Sequence, residues 1–191
     1  MLVQLTQSMK RLPALLFLFV CTQSLCQSAS DTNYLCWSSS RRLTVNDFVI
    51  KTGNMQTTPC FAQFYIDYQV AGFDFMTKNF NKKVHNYFIR SASWIDTTYD
   101  INVSIRYQQT LFDLAEVYAR RFRKDLKDNR KKILTGTDFT RELNTKAMTE
   151  FAKRRVEYDA DTKFGTNTIA QQKWEAQIQS ELLQLKDFSA E

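Results

Sequence analysis

The chain predicts an α+β fold, because β-forming segments fill its first half, helical apolar repeats fill its second, and the two do not alternate. Its 191 residues suffice for one domain with a real core and leave little for a second. The expected architecture is a small, mainly antiparallel sheet followed by three helices, in a single domain over residues 31–191.

Residues 1–26 stand apart from that domain. Lys10 and Arg11 precede an apolar run at 12–20 that contains Pro13, and Ser24, Leu25 and Cys26 follow. The run is too short to span a bilayer, so the segment reads as a secretory signal peptide. Cleavage is expected before Gln27, with a second choice near Ala29; Met9 is an alternative start. A lipoprotein reading, with Cys21 or Cys26 acylated, is weaker because neither follows the usual small residue. The expected location is therefore outside the cytoplasm, periplasmic or extracellular.

Strands come next. Residues 34–37 form a first β segment, a Ser-rich turn follows, and 43–48 form a second. Residues 53–59 read as loop. Residues 61–70 are rich in aromatic and β-branched side chains with partial alternation, the pattern of a half-buried strand. After Gly72 and a turn at 79–82, a strand runs from about 83 to 94, with Val84, Asn86, Phe88 and Arg90 on one face and His85, Tyr87 and Ile89 on the other. Cys36 and Cys60 are the two cysteines outside the leader, and in an exported chain they are expected to form a disulfide between two early strands.

Helices complete the chain. Asp96, Thr97 or Thr98 is expected to cap the first, which runs to about 128 with a stripe of Tyr107, Leu111, Leu114, Ala115, Tyr118, Phe122 and Leu126. A basic loop at 127–132 and Thr135-Gly136 end it. Thr137 or Asp138 caps a second helix holding Leu143, Ala147, Phe151 and Val156. Gly165 breaks that helix, and Thr166 or Thr168 starts a third with Ile169, Trp174, Ile178, Leu182 and Leu185.

Residues 106–121 of the first helix read Arg-Tyr-Gln-Gln-Thr-Leu-Phe-Asp-Leu-Ala-Glu-Val-Tyr-Ala-Arg-Arg. This segment resembles the helix of a bacterial secreted family, the domain of unknown function 922, described as zinc-dependent proteases, whose helix typically reads H-E-Q-x-H-F-D-I-A-E-x-Y-A-R. Gln109, Phe112, Asp113, Glu116, Tyr118, Ala119 and Arg120 match it. A second signature of the family, Y-D-x-E-T-x-H-G followed by Q and W, is similar to Tyr158-Asp159-Ala160-Asp161-Thr162-Lys163-Phe164-Gly165, with Gln172 and Trp174 beyond. The resemblance covers the chain from about Trp37 to its end and implies a minimal zincin-like domain.

H-E-x-x-H works because side chains at i and i+4 converge on one zinc ion while the Glu takes a proton from water. Aligned with the family, Tyr107 and Leu111 stand at the two His positions, Gln108 at the general base, and Phe164 at a third ligand. The resemblance thus implies vestigial ligand positions at Tyr107, Leu111 and Phe164, a vestigial base at Gln108, no catalytic residue and no metal, with zinc expected only in intact relatives. Taken without the flanks, Tyr107 and Leu111 are ordinary core residues of an amphipathic helix, and the two readings are compatible. Apolar replacement removes polar groups whose burial without metal costs ~1–3 kcal/mol each.

Asp113 and Glu116 are retained from the pattern, where carboxylates steady metal ligands through hydrogen bonds. Without metal they are expected to bond backbone or pair with Arg120. Trp94, after Ser93, matches a family Ser-Trp ahead of the helix; it reads as a core aromatic beside a strand that, in an active relative, would hold extended peptide by edge pairing. The function expected is an exported, non-catalytic, zinc-protease-like protein with a binding or envelope-associated role. The alternative is an active secreted hydrolase with an unusual site around Asp113, Glu116 and His85.

Other chemistries find little support. His85 is the sole histidine, and one His without Cys or carboxylate at metal spacing builds no tetrahedral site. No G-x-S-x-G occurs, no His lies near a Ser or Cys in a triad pattern, and four glycines form no phosphate loop. The formal charge of +6 falls to +4 without the leader, since Lys10 and Arg11 are its only charges. Positives gather at 120–132 and 153–155 without interleaved stacking aromatics, so no nucleic-acid partner is expected. A peptide or protein partner, or weak association with anionic surfaces, fits better.

Overall fold

Strand β4, Val84–Asp96, organises the sheet, since the three other strands among the described residues all pair with it. Its inner side chains Val84, Asn86 and Phe88 are buried while His85, Tyr87 and Ile89 alternate outward, as a strand with one covered face requires. Strand β1, Tyr34–Cys36, runs antiparallel with Leu35 opposite Phe88. Strand β2, Ile50–Thr52, runs parallel with Lys51 opposite Ile95. Strand β3, Cys60–Tyr68, runs antiparallel with Tyr65 opposite Tyr87. The sheet is therefore mixed rather than mainly antiparallel. The computed structural model describes residues 32–53, 58–69, 80–133 and 138–191, which belong to one unit, Asp31–Glu191.

The expected strand at 43–48 is instead a 3₁₀ turn, Val45–Asp47. The Asp47 carboxylate accepts from the Thr44 backbone N–H at 2.8 Å and from Arg41 at 2.7 Å, a local bonding pattern that competes with strand pairing. After that turn the chain forms β2, which runs parallel to β4. In β4 the register slips, from Trp94 opposite Phe61 to Ile89 opposite Gln63. Ser93, fully buried, closes this bulge: its hydroxyl donates to the Ile89 carbonyl at 2.6 Å and accepts from Gln63 N–H at 3.1 Å.

Helix α1, Ile101–Asp128, crosses the inner face of the sheet. Its N-cap is Asp100, whose carboxylate accepts from the N–H groups of Asn102 and Val103, and not the earlier Asp96, Thr97 or Thr98; β4 extends through Asp96. The basic stretch expected as loop continues α1 and then forms a fourth, short helix α2, Arg130–Ile133. Helix α3 spans Asp138–Thr162 and α4 spans Thr168–Gln184, capped by Asn167 rather than Thr166 or Thr168. Val156 and Ile169, expected in the core, are both 67% exposed; Tyr158 and Gln171 take the buried positions. The leader, Val70, Gly72, Asn79 and 135–137 lie outside the described residues.

An amphipathic helix buries one stripe. Helix α1 does more: every residue from 107 to 120 is buried. The sheet covers one side, α3 and α4 a second, and the segments at 37–43 and 182–189 close the rest.

Candidate functional site

Around Tyr107 the contacts are aromatic. Its ring stacks on Tyr158 of α3 at 5.0 Å between centroids and meets Phe164 edge-on at 5.9 Å. Tyr158 in turn meets Trp174 of α4 edge-on at 5.4 Å. The structure thus brings Tyr107 and Phe164 together, and Leu111 lies fully buried in the same core against which Phe164 packs. The Tyr107 hydroxyl donates to the Asp159 carboxylate, and the Tyr158 hydroxyl donates to Gln171 at 2.7 Å and lies 3.1 Å from the Tyr107 carbonyl. Burial pushes the Asp159 carboxyl above its ordinary range, against the opposing pull of the Tyr107 bond and the Arg155 charge. Burial, and then the bond to Asp159, raises Tyr107 so far that its phenol stays protonated.

The turn after α3 explains the glycine at its end. Lys163, Phe164 and Gly165 all adopt positive φ, at 48°, 56° and 86°. Such a run is uncommon for side chains with a Cβ and is held here by the Asn167 N–H bonded to the Thr162 carbonyl at 2.9 Å. It carries Gly165 so close to α1 that an added Cβ would lie 2.9 Å from the Tyr107 Cβ. Gln172, singled out in the sequence, is exposed; the neighbouring Gln171 is the buried residue that bridges Thr110 and Glu175, each at 2.9 Å.

Gln108 is fully buried. Its amide Nε2 donates to the Cys60 thiol at 3.2 Å, and its Oε1 has no hydrogen-bond partner. Burial pushes Cys60 up to about 11, so this thiol is unreactive at neutral pH. Nearby, Arg155 of α3 donates to the Ala62 carbonyl at 3.0 Å, which occupies a backbone acceptor of β3, a strand paired only with β4 among the described residues. Among the described residues no three His, Cys, Asp or Glu side chains are grouped to hold a metal ion.

Two turns further along α1 the contacts become ionic. Asp113 accepts the Trp37 indole at 2.8 Å, Gln109 at 2.9 Å, Arg42 at 3.0 Å and Gln179 at 3.3 Å. Glu116 binds Arg120 at 3.1 Å and Arg123 at 2.8 Å, and all three are buried. Arg120 also donates to the Leu182 carbonyl, Arg123 to the carbonyls of Val84 and Phe188. These carboxylates therefore tie both ends of the domain to α1. The expected pairing of Glu116 with Arg120 is present, with Arg123 added.

His85 bonds to neither carboxylate among the described residues. It sits half-buried on the central strand, with Nδ1 3.8 Å from the Cys36 thiol. The sequence hid this pair because 49 positions separate the two residues. Cys36 and Cys60 are not joined: they stand opposite Tyr87 and Ile95, eight positions apart on β4. Because β4 is bulged between them, the separation is better read along β3, where Tyr65 opposite Tyr87 lies five positions from Cys60, roughly 17 Å, and this is far beyond disulfide reach. Much of the basic stretch is engaged too, with Arg121 bound to Glu181 at 2.9 Å and Lys124 to Asp128 at 2.7 Å.

A groove of about 430 Å³ runs between α1, α4 and the segment at 42–43, lined by Arg42, Ile105, Arg106, Thr110, Glu175 and Gln179 among others. Arg106 and Glu175 pair across it through two bonds of 2.7 Å. No family model, curated protein or solved structure matches this chain. No helix of the described residues is long and apolar enough to cross a membrane.

Proposed function

We propose that this chain is an exported, periplasmic or extracellular, non-catalytic relative of zinc-dependent proteases that acts by binding a peptide or protein. The observation that carries the reading is what fills the resembled metal site: Tyr107 and Leu111 lie in one core with Phe164 packed against it, the Tyr107 hydroxyl is bonded to Asp159, and Gln108 spends its amide on the Cys60 thiol. An amide cannot act as the base that activates water. The hydrogen bond from Arg155 to Ala62 supports the same reading, since it occupies a carbonyl that an extended substrate would need for strand pairing. The groove between α1 and α4, with charge of both signs, is where we place the partner. The hydrolase alternative is less favoured, because Asp113 has both oxygens taken by Trp37, Gln109, Arg42 and Gln179, and Glu116 is buried and holds Arg120 and Arg123 through Oε1.

The test is rescue. The triple change Tyr107→His, Leu111→His and Phe164→His is expected to bind one zinc ion per chain, with lower stability because buried apolar groups become polar. Adding Gln108→Glu supplies the missing base. A folded triple variant that binds no zinc would show that the three positions do not converge on a metal. Near-stoichiometric zinc in the unaltered protein would overturn the non-catalytic reading itself.

A further inference from the structure

The outer face of the sheet carries chemistry that the α1 site does not use. Across β1, β4 and β3, the side chains of Cys36, His85 and Asp67 follow one another in a row: the thiol lies 3.8 Å from His85 Nδ1, and Asp67 is the direct cross-strand partner of His85. Cys36 is exposed, and Tyr34 and Tyr87 flank it, their rings 5.9 Å apart. A nucleophilic thiol needs a base to take its proton and a group to hold that base; the Lys82 backbone bonds the His85 ring, and Asp67 acts on it by its charge from the neighbouring strand. The contrast with Cys60 is internal to the molecule, since that thiol is buried against Gln108 and Ser104.

We propose that Cys36, His85 and Asp67 form a reactive thiol site at which Cys36 exchanges with an accessible disulfide. The Cys36 thiol gives its proton to His85, and its sulfur attacks one sulfur of the disulfide. The S–S bond breaks, a mixed disulfide forms on Cys36, and the departing thiolate takes the proton from His85. The disulfide is the oxidant and no other co-reactant is needed. His85 is suited to the step because burial, and then the Arg123 charge, hold its imidazole below the ordinary range, so it is neutral and able to accept at pH 7. Cys36, Tyr87 and Asp67 face it on the outer surface, while Arg123 and Glu116 of α1 act on it through the sheet; Asp67, the Lys82 bond and Glu116 oppose the lowering.

The experiment uses the full chain with Cys21→Ser and Cys26→Ser, so that only Cys36 and Cys60 report, and the aromatic disulfide dithiobis(nitrobenzoate) as probe. The native protein is expected to release one equivalent of nitrothiobenzoate quickly, lost in Cys36→Ser and kept in Cys60→Ser. Its rate should stay level from about pH 8 down to below pH 6.5, where His85 gains its proton, whereas a free thiol slows about tenfold per pH unit below ~8.5. His85→Gln should lower the rate at pH 7 about tenfold or more and abolish the plateau; Asp67→Asn should lower it less. A rate for Cys36 that matches a short peptide around it, falling tenfold per unit with no plateau, overturns the proposal. The profile of the native protein decides this even where a variant fails to fold.

Discussion

Around Tyr107, helix α1 meets α3 and the turn after it through rings; from Asp113 to Arg123 it meets the two ends of the domain through charges. In the first region Tyr107, Tyr158, Phe164 and Trp174 make edge and stacked contacts, and one amide oxygen, on Gln108, goes without a partner. In the second, Glu116, Arg120 and Arg123 are buried together, and each arginine adds a backbone carbonyl to its bond with the carboxylate. Apolar contacts tolerate replacement in proportion to volume, whereas a buried charge depends on every partner it has. The difference separates the two groups of residues that the resemblance picks out. Tyr107, Leu111 and Phe164 are packed among apolar neighbours, while Asp113, Glu116 and Arg120 hold the chain ends onto the helix.

The largest effect should come from Glu116→Ala, which leaves two buried guanidinium groups without their carboxylate. We expect a loss of ~3–5 kcal/mol in denaturant unfolding, or failure to fold. A loss below about 1 kcal/mol would mean that the backbone carbonyls alone satisfy the arginines and that the two regions do not differ in kind.

Next is Gly165→Ala. Its φ of 86° and the 2.9 Å approach to the Tyr107 Cβ leave the new methyl no place without movement of α1 or of the turn. A destabilisation of about 1–3 kcal/mol is expected, measured by the same unfolding midpoint. An unchanged midpoint would show that this turn does not fix Phe164 against Tyr107.

Smallest is Gln108→Met. It removes a buried oxygen that has no partner at the cost of one bond to a thiol, a weak acceptor. The midpoint should move by less than about 1 kcal/mol, toward greater stability. A loss of about 2 kcal/mol or more would show that the amide supports the core and is not a leftover polar group.

Several features were readable in advance for definite reasons. The strand at 84–94 shows its period of two in the sequence, and the stripe from Tyr107 to Leu126 shows its helical period. Phe164 was expected beside Tyr107, and the two rings do meet, across 57 positions of sequence. The parallel course of β2 was not readable, because it is set by pairing with Trp94 to Asp96, more than 40 positions further along the chain. Nor was the Cys36–His85 pair, which sheet register creates, or the separation of Cys36 from Cys60, which the same register imposes.

The sequence by itself determined the α+β order, the long first helix and its apolar face, since these follow from periodicity and local propensity. Only the tertiary structure decided that the polar face of that helix is buried as well. Gln109, Asp113, Glu116, Arg120 and Arg123 look like a solvated face when read in order, because their partners lie far away in the chain, at Trp37, Arg42, Val84, Leu182 and Phe188. A charge can be buried only where such partners arrive, and their arrival is a property of the packed fold.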